Sequence, residues 1–217
     1  MKFRNLLVCA LLCMASLWSQ AQNNLQPKYG GQTKNPAQLA ADAEFLAGAD
    51  KAFGNDRVKA ANEVAARGWT LLRGGKLDDA MRRFNQAWLL NPEDGSALWG
   101  MAVIEMSRQR IASGRELFEE AAKSMSKDID FQVDYVRTKA QLADSEAELK
   151  ATWPEFARIF AKAPDHTLNL QNWAISYFVV ERYRDAWEKI LLAEKTPRAR
   201  ELDPNFIKAL SAKMPRP

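Results

Sequence analysis

Residues that could do chemistry are few and scattered in this chain. His166 is the only histidine among 217 residues. Asp165 stands beside it, but adjacency along the chain is not the geometry in which a carboxylate orients a histidine behind a serine nucleophile. One histidine without a cysteine near it cannot assemble a typical zinc site. The paired acids Asp78-Asp79 and Glu119-Glu120 read as solvated helix surface, and basic pairs such as Arg82-Arg83, or Arg108 with Arg110, read the same way. Gly74-Gly75 would cradle a phosphate only if Gly-Lys-Ser/Thr followed, and it does not. The expectation is a protein with no catalytic site, no metal and no cofactor.

The ends of the chain bound its setting. Lys2 and Arg4 precede a largely apolar run from Leu6 to Trp18, long enough for a secretory leader and too short to span a bilayer. Ser19-Gln20-Ala21 supplies small residues for cleavage before Gln22. Residues 1–21 are therefore expected to be a signal peptide, and the protein to be periplasmic or secreted, in a bacterial cell envelope. Both cysteines, Cys9 and Cys13, lie in this leader. Val8 and Leu12 stand where a lipoprotein signal needs a small residue, so lipid anchoring is disfavoured. The remaining chain has no cysteine and can form no disulfide. Removing two basic residues from 31 leaves 29 Lys plus Arg against 27 Asp plus Glu, a net charge of +2 in place of +4. That is no case for nucleic-acid binding, which wants a concentrated basic stripe. No second apolar run approaches 18 residues, so no membrane span is expected past the leader.

The elements that would position any site are helices. Residues 22–35, rich in Gln, Asn, Gly and Pro, read as a flexible lead-in. Asn35-Pro36 starts a leading helix with Leu39, Ala43, Leu46 and Phe53 at helical spacing. Gly54-Asn55 ends it, and Asp56 can cap the next helix. A first helical pair then runs from Arg57 to Leu90. Val64, Gly68 and Leu71 line its first helix, Gly74-Gly75 makes the turn, and Leu77, Ala80, Met81, Phe84, Ala87 and Trp88 line its second. Asn91-Pro92 stops it.

The pattern then repeats. Ala80, Phe84 and Ala87 recur 34 residues later as Gly114, Phe118 and Ala121. Leu98, Ala102 and Glu105 follow Val64, Gly68 and Leu71 at the same spacing, with Ile104 or Met106 as the better packing residue in place of Glu105. Ser113 to Glu116 and Thr152 to Glu155 fit capping boxes. Phe156 and Pro164 lie 72 residues after Phe84 and Pro92, two periods plus four. An insertion of four residues must therefore fall between Ala121 and Phe156, and the second helix of this third pair is short or kinked near Pro154. Ala186, Ile190 and Ala193 restore the register in a fourth pair, whose first helix carries Leu170, Ala174 and Tyr177. Asp203-Pro204 begins a short last helix to Lys213. A pair of this length buries one face only, so neighbouring pairs must stack. Small residues at Gly68, Ala80 and Ala87 let the two helices of a pair approach to about 8–10 Å, with Phe84 filling the space toward the next pair.

The stretch Val64–Pro92 resembles a tetratricopeptide repeat: Gly68, Gly75, Ala80, Phe84, Ala87 and Pro92 stand at that family's consensus places. Val64 replaces its first aromatic, Arg67 its leucine and Leu71 its tyrosine. The resemblance extends more loosely to about Lys195. It implies an all-α, right-handed superhelical array of about four hairpins over residues 36–214, with a leading helix and a C-terminal capping helix. It also implies a concave groove lined by the first helix of each pair. The groove positions would be Ala65, Trp69, Leu72, Arg73, Trp99, Val103, Met106, Arg137, Gln141, Gln171, Ile175 and Phe178. Such a lining suits a helix or extended peptide with bulky anchors. The alternative for Trp69 and Trp99 is packing between pairs or under the leading helix. The family's carboxylate clamp needs Lys and Asn where this chain has Ala65 and Trp69, so that class of partner is not expected.

The function expected is a non-catalytic adaptor that docks a protein or peptide partner. Alternatives are a self-associating envelope subunit, a small-ligand carrier, or an enzyme, for which the repeats leave no room for a separate catalytic domain.

Overall fold

A computed structural model describes residues 24–217; the leader, its cleavage point and both cysteines lie outside the described residues. Among the described residues the regular structure is helical, with no strand. In chain order it runs α1 (Pro36–Phe53), α2 (Arg57–Arg73), α3 (Leu77–Leu90), α4 (Gly95–Ser107), α5 (Ile111–Met125), α6 (Ile129–Gln141), α7 (Glu146–Ala151), α8 (Trp153–Lys162), α9 (Thr167–Val179), α10 (Tyr183–Ala193) and α11 (Pro204–Lys213). Short 3-10 turns stand at Pro27–Gly31 and Ala199–Glu201. The chain divides into two compact units, one ending at Met125 and the other running from Ser126 to Pro217.

In the first unit α2 packs on α3, and α4 on α5, as two antiparallel hairpins. Their ends follow local chemistry. Asn35 and Gln38 form a reciprocal capping box at the start of α1, Asp56 accepts from the Lys59 amide, and Asp94 from the amides of Ser96 and Ala97. Gly75 takes a φ of 73° in the turn between α2 and α3, a conformation that favours glycine. Phe84, fully buried, lies between the two hairpins. A Cβ on Gly68 would come within 2.7 Å of its ring, and one on Gly100 within 2.2 Å. Two glycines on two successive first helices thus make room for one aromatic ring. Ile104 supplies the packing that Glu105 cannot. Glu105 is nonetheless buried, with Arg108 at 3.3 Å and Arg110 at 3.5 Å.

In the second unit α9 and α10 form a hairpin, α8 packs on α6 and α9, and α11 packs on α10. Its core joins Val133, Val136, Phe156, Ile159, Trp173, Ala174, Tyr177, Ala186, Trp187, Ile190 and Leu210. The extra helix α7 falls where the register demanded an insertion. The second helix of this pair is broken at Thr152 into α7 and the ten-residue α8.

Three expectations need correction. Residues 24–31 of the supposedly flexible lead-in are fastened to the first unit: Asn85 donates to the carbonyls of Asn24 (3.0 Å) and Gln26 (2.9 Å), and Arg108 to that of Leu25 (2.7 Å). Ser113 caps nothing, because α5 already begins at Ile111. Thr152 forms no capping box, because its hydroxyl donates back to the Leu149 carbonyl at 2.7 Å.

Candidate functional site

The first helices α2 and α4 carry the anticipated groove residues of the first unit. Trp69 and Trp99 meet with ring centroids 4.4 Å apart, and Trp69 stands edge-on to Phe84 at 5.4 Å. Its indole N–H donates to Ser96 Oγ at 3.0 Å. The two tryptophans therefore tie one hairpin to the next. Met106 points back toward its own hairpin, since a Cβ on Gly114 would lie 2.6 Å from its sulfur. Ala65 is buried, Leu72 and Val103 are half-buried, and Arg73 is exposed.

The second unit holds a cavity of about 630 Å³ between α6, α7 and α9. Arg137, Ala140 and Gln141 line it from α6, and Leu149 from α7. Asn172, Ile175, Ser176 and Val179 line it from α9, at a spacing that places them on one helix stripe. Walls of Ala140, Leu149, Ile175, Val179 and Val180 are apolar, and the carboxylates of Asp144, Glu146 and Glu181 belong to the same lining. Glu146 is paired with Lys150 at 2.5 Å.

Two polar groups mark this cavity. Arg137 holds Asp134 at 3.1 Å through one guanidinium nitrogen, while its buried Nε has no partner. Asn172 is 9 % exposed and lines the cavity, where its carboxamide keeps access to solvent. A buried donor without a partner costs about 1–3 kcal/mol, and in this cavity that donor is Arg137 Nε. By contrast Ser176 Oγ is committed to the Trp173 carbonyl at 2.7 Å.

Of the anticipated residues in this unit, Arg137, Gln141 and Ile175 line the cavity together. Gln171 and Phe178 do not. Gln171 Oε1 accepts from the Asp203 amide at 2.6 Å and so anchors the start of α11. Phe178 packs against Tyr183 at 5.5 Å and Phe206 at 5.6 Å. The final helix claims both, which first-helix periodicity alone does not reveal. Asn172 was missed. Its signal is a polar residue within the apolar run Leu170–Phe178.

His166 caps α9: its Nδ1 accepts from the Asn169 amide at 3.2 Å, and Nε2 lies 3.0 Å from Asp130. Among the described residues no group of three or more His, Cys, Asp or Glu is placed to hold a metal ion. No helix among them is long and apolar enough to cross a membrane.

No protein-family model matches the chain, and no curated protein matches it. Solved structures do. A MamA fragment (41-end) from Desulfovibrio magneticus RS-1 superposes with a TM-score of 0.54 at 14% identity, covering 73% of this chain and 84% of that one. A MamA RS-1 ArsTM double mutant gives 0.50 at 14% identity, covering 73% and 93%. At this identity the likeness is one of fold, and the fold is an all-α helical repeat of the tetratricopeptide type.

Proposed function

We propose that this chain is a non-catalytic protein-interaction module whose second unit seats a segment of a partner protein. The observation that carries this reading is an open cavity of about 630 Å³ with the Asn172 carboxamide on its wall and Arg137 Nε buried beside it without a partner. A cavity of that size suits an anchoring side chain, with few polar groups fixing orientation. A carboxamide offers both a donor and an acceptor, and a guanidinium N–H a further donor. Together they match the carbonyl and amide of a partner's main chain. The apolar walls then take one aliphatic or aromatic side chain. The leader-like residues 1–21 support an exported protein, so the partner would be met outside the cytoplasm.

Affinity capture from the native cell envelope tests the reading, run with the wild-type chain and with Asn172→Leu and Ile175→Glu variants. A partner held by the wild type and lost by both variants, with unchanged helical circular dichroism, is the expected result. A partner retained by both refutes the site. If the captured species is the chain itself, sedimentation will be concentration-dependent for the wild type alone, and the partner is a second copy.

A further inference from the structure

We propose that the α3–α5 side of the first unit is a second docking site, for a turn-forming peptide segment, occupied in cis by residues 24–31. It lies on the second helices of the two hairpins and does not rest on the cavity of the other unit.

The seat is built to read main chain. Asn85 is completely buried on α3. Its Nδ2 donates to the carbonyls of Asn24 and Gln26, and its Oδ1 accepts from the Tyr29 amide at 3.4 Å. Arg108 reaches the intervening carbonyl of Leu25. Its guanidinium is aimed by Asp78 at 2.6 Å and by the buried Glu105. Three successive carbonyls and one amide are thus held by two side chains. Side-chain identity is read at two further points. Lys28 pairs with Glu120 of α5, and Lys34 lies over the Tyr29 ring at 3.7 Å while pairing with Asp42 of α1.

The occupant is held without being locked. No residue of the Pro27–Gly31 turn is fully buried. The Lys28–Glu120 pair is partly open to solvent, at 28% and 35% exposure, so salt weakens it. Lys28, Tyr29 and Gly30 all take left-handed conformations, with φ of 52°, 57° and 72°. Two of these are not glycine, and such a turn persists only where its surroundings over-determine it. Release relieves that strain and leaves Asn85 unpaired, which a segment of the same chemistry arriving in trans would repair. The occupant that fits is a turn-forming segment whose lysine and tyrosine follow the held carbonyls.

The test uses the full chain and a fluorescein-labelled peptide of residues 24–34. In a Lys28→Ala/Tyr29→Ala chain the resident strap is weakened, and the peptide should bind at least tenfold more tightly than to the wild type. Adding Asn85→Ala should abolish that gain. Should Asn85→Ala disturb folding, a Glu120→Lys version of the weakened chain decides alone: it should prefer a peptide carrying Lys28→Glu over the unaltered one. The proposal is overturned if the weakened chain, still helical, binds no better than the wild type. It is equally overturned if Glu120→Lys leaves the preference between the two peptides unchanged.

Discussion

Gly100→Ala should destabilise the first unit, although alanine is the better helix former. The added Cβ would sit 2.2 Å from Phe84 Cζ and 2.4 Å from both ring Cε atoms. Relief to ordinary contact of about 3.6 Å requires the ring to move by roughly 1.4 Å. The ring cannot retreat, because a Cβ on Gly68 would already lie 2.7 Å from it on the neighbouring helix. Overpacking of this kind costs about 1–3 kcal/mol, and a ring enclosed by two glycines belongs at the top of that range. Replacing glycine in a helix interior returns about 1 kcal/mol. The net expectation is about 2 kcal/mol of destabilisation, or a fall of roughly 10 °C in the melting temperature of a unit this size. Urea unfolding followed by circular dichroism measures it. The decisive comparison is a Phe84→Leu background, where the Cε and Cζ atoms are gone. There Gly100→Ala should become stabilising by about 1 kcal/mol, a coupling of about 3 kcal/mol in the double-mutant cycle. A neutral or stabilising Gly100→Ala beside the intact ring, or no change of sign with leucine, would refute the reasoning.

Asn172→Leu should leave the stability of the fold within about 0.5 kcal/mol of the wild type, since its carboxamide faces the open cavity, while losing partner binding; denaturation beside the capture assay reads both. Burial pushes the Asp94 carboxyl above its usual range, against the lowering effect of the Ser96 and Ala97 amides. The native state therefore binds the proton more readily than the unfolded one, and stability falls as pH rises from the unfolded carboxylate value through the raised native one. Asp94→Asn keeps a capping oxygen and removes that slope, so its advantage over the wild type should be present at pH 7 and shrink toward pH 3, as urea titrations at both values would show. Leu210→Ala, at a fully buried position of α11, should cost about 2–5 kcal/mol in the unfolding of the second unit, read by thermal melts.

The helices were legible wherever punctuation was local. Asn35-Pro36, Asp56, Gly74-Gly75 and Asn91-Pro92 mark ends that depend on their own neighbours, and α1 to α3 begin and end as those residues imply. The 34-residue spacing found Phe84 because a fully buried ring constrains what may stand around it. The third pair blurred because α7 interrupts the register and Thr152 turns its hydroxyl backward. Gln171 and Phe178 fall on the groove stripe by helical period, yet Gln171 accepts from the Asp203 amide at the start of α11 and Phe178 packs against Phe206 of α11. The N-terminal strap could not be read locally. Its composition is that of disorder, and what orders it are bonds to residues about sixty or more positions away. Asn85, one residue after Phe84 on a helix turned inward, was the clue. A carboxamide buried there must find a partner, and none of the helical neighbours supplies one.

The strap also sets an order of events. Lys28 meets Glu120 across 92 residues of chain, and Asn85 grips carbonyls 59 and 61 residues before it. A chain made from its N-terminus at about 5–20 residues per second therefore makes Lys28 roughly 5–20 s before Glu120 exists to receive it. Both hairpins of the first unit must form before the seat is complete. The earliest part of the described chain to appear is thus among the last to settle, and until then it is free to be held by something else.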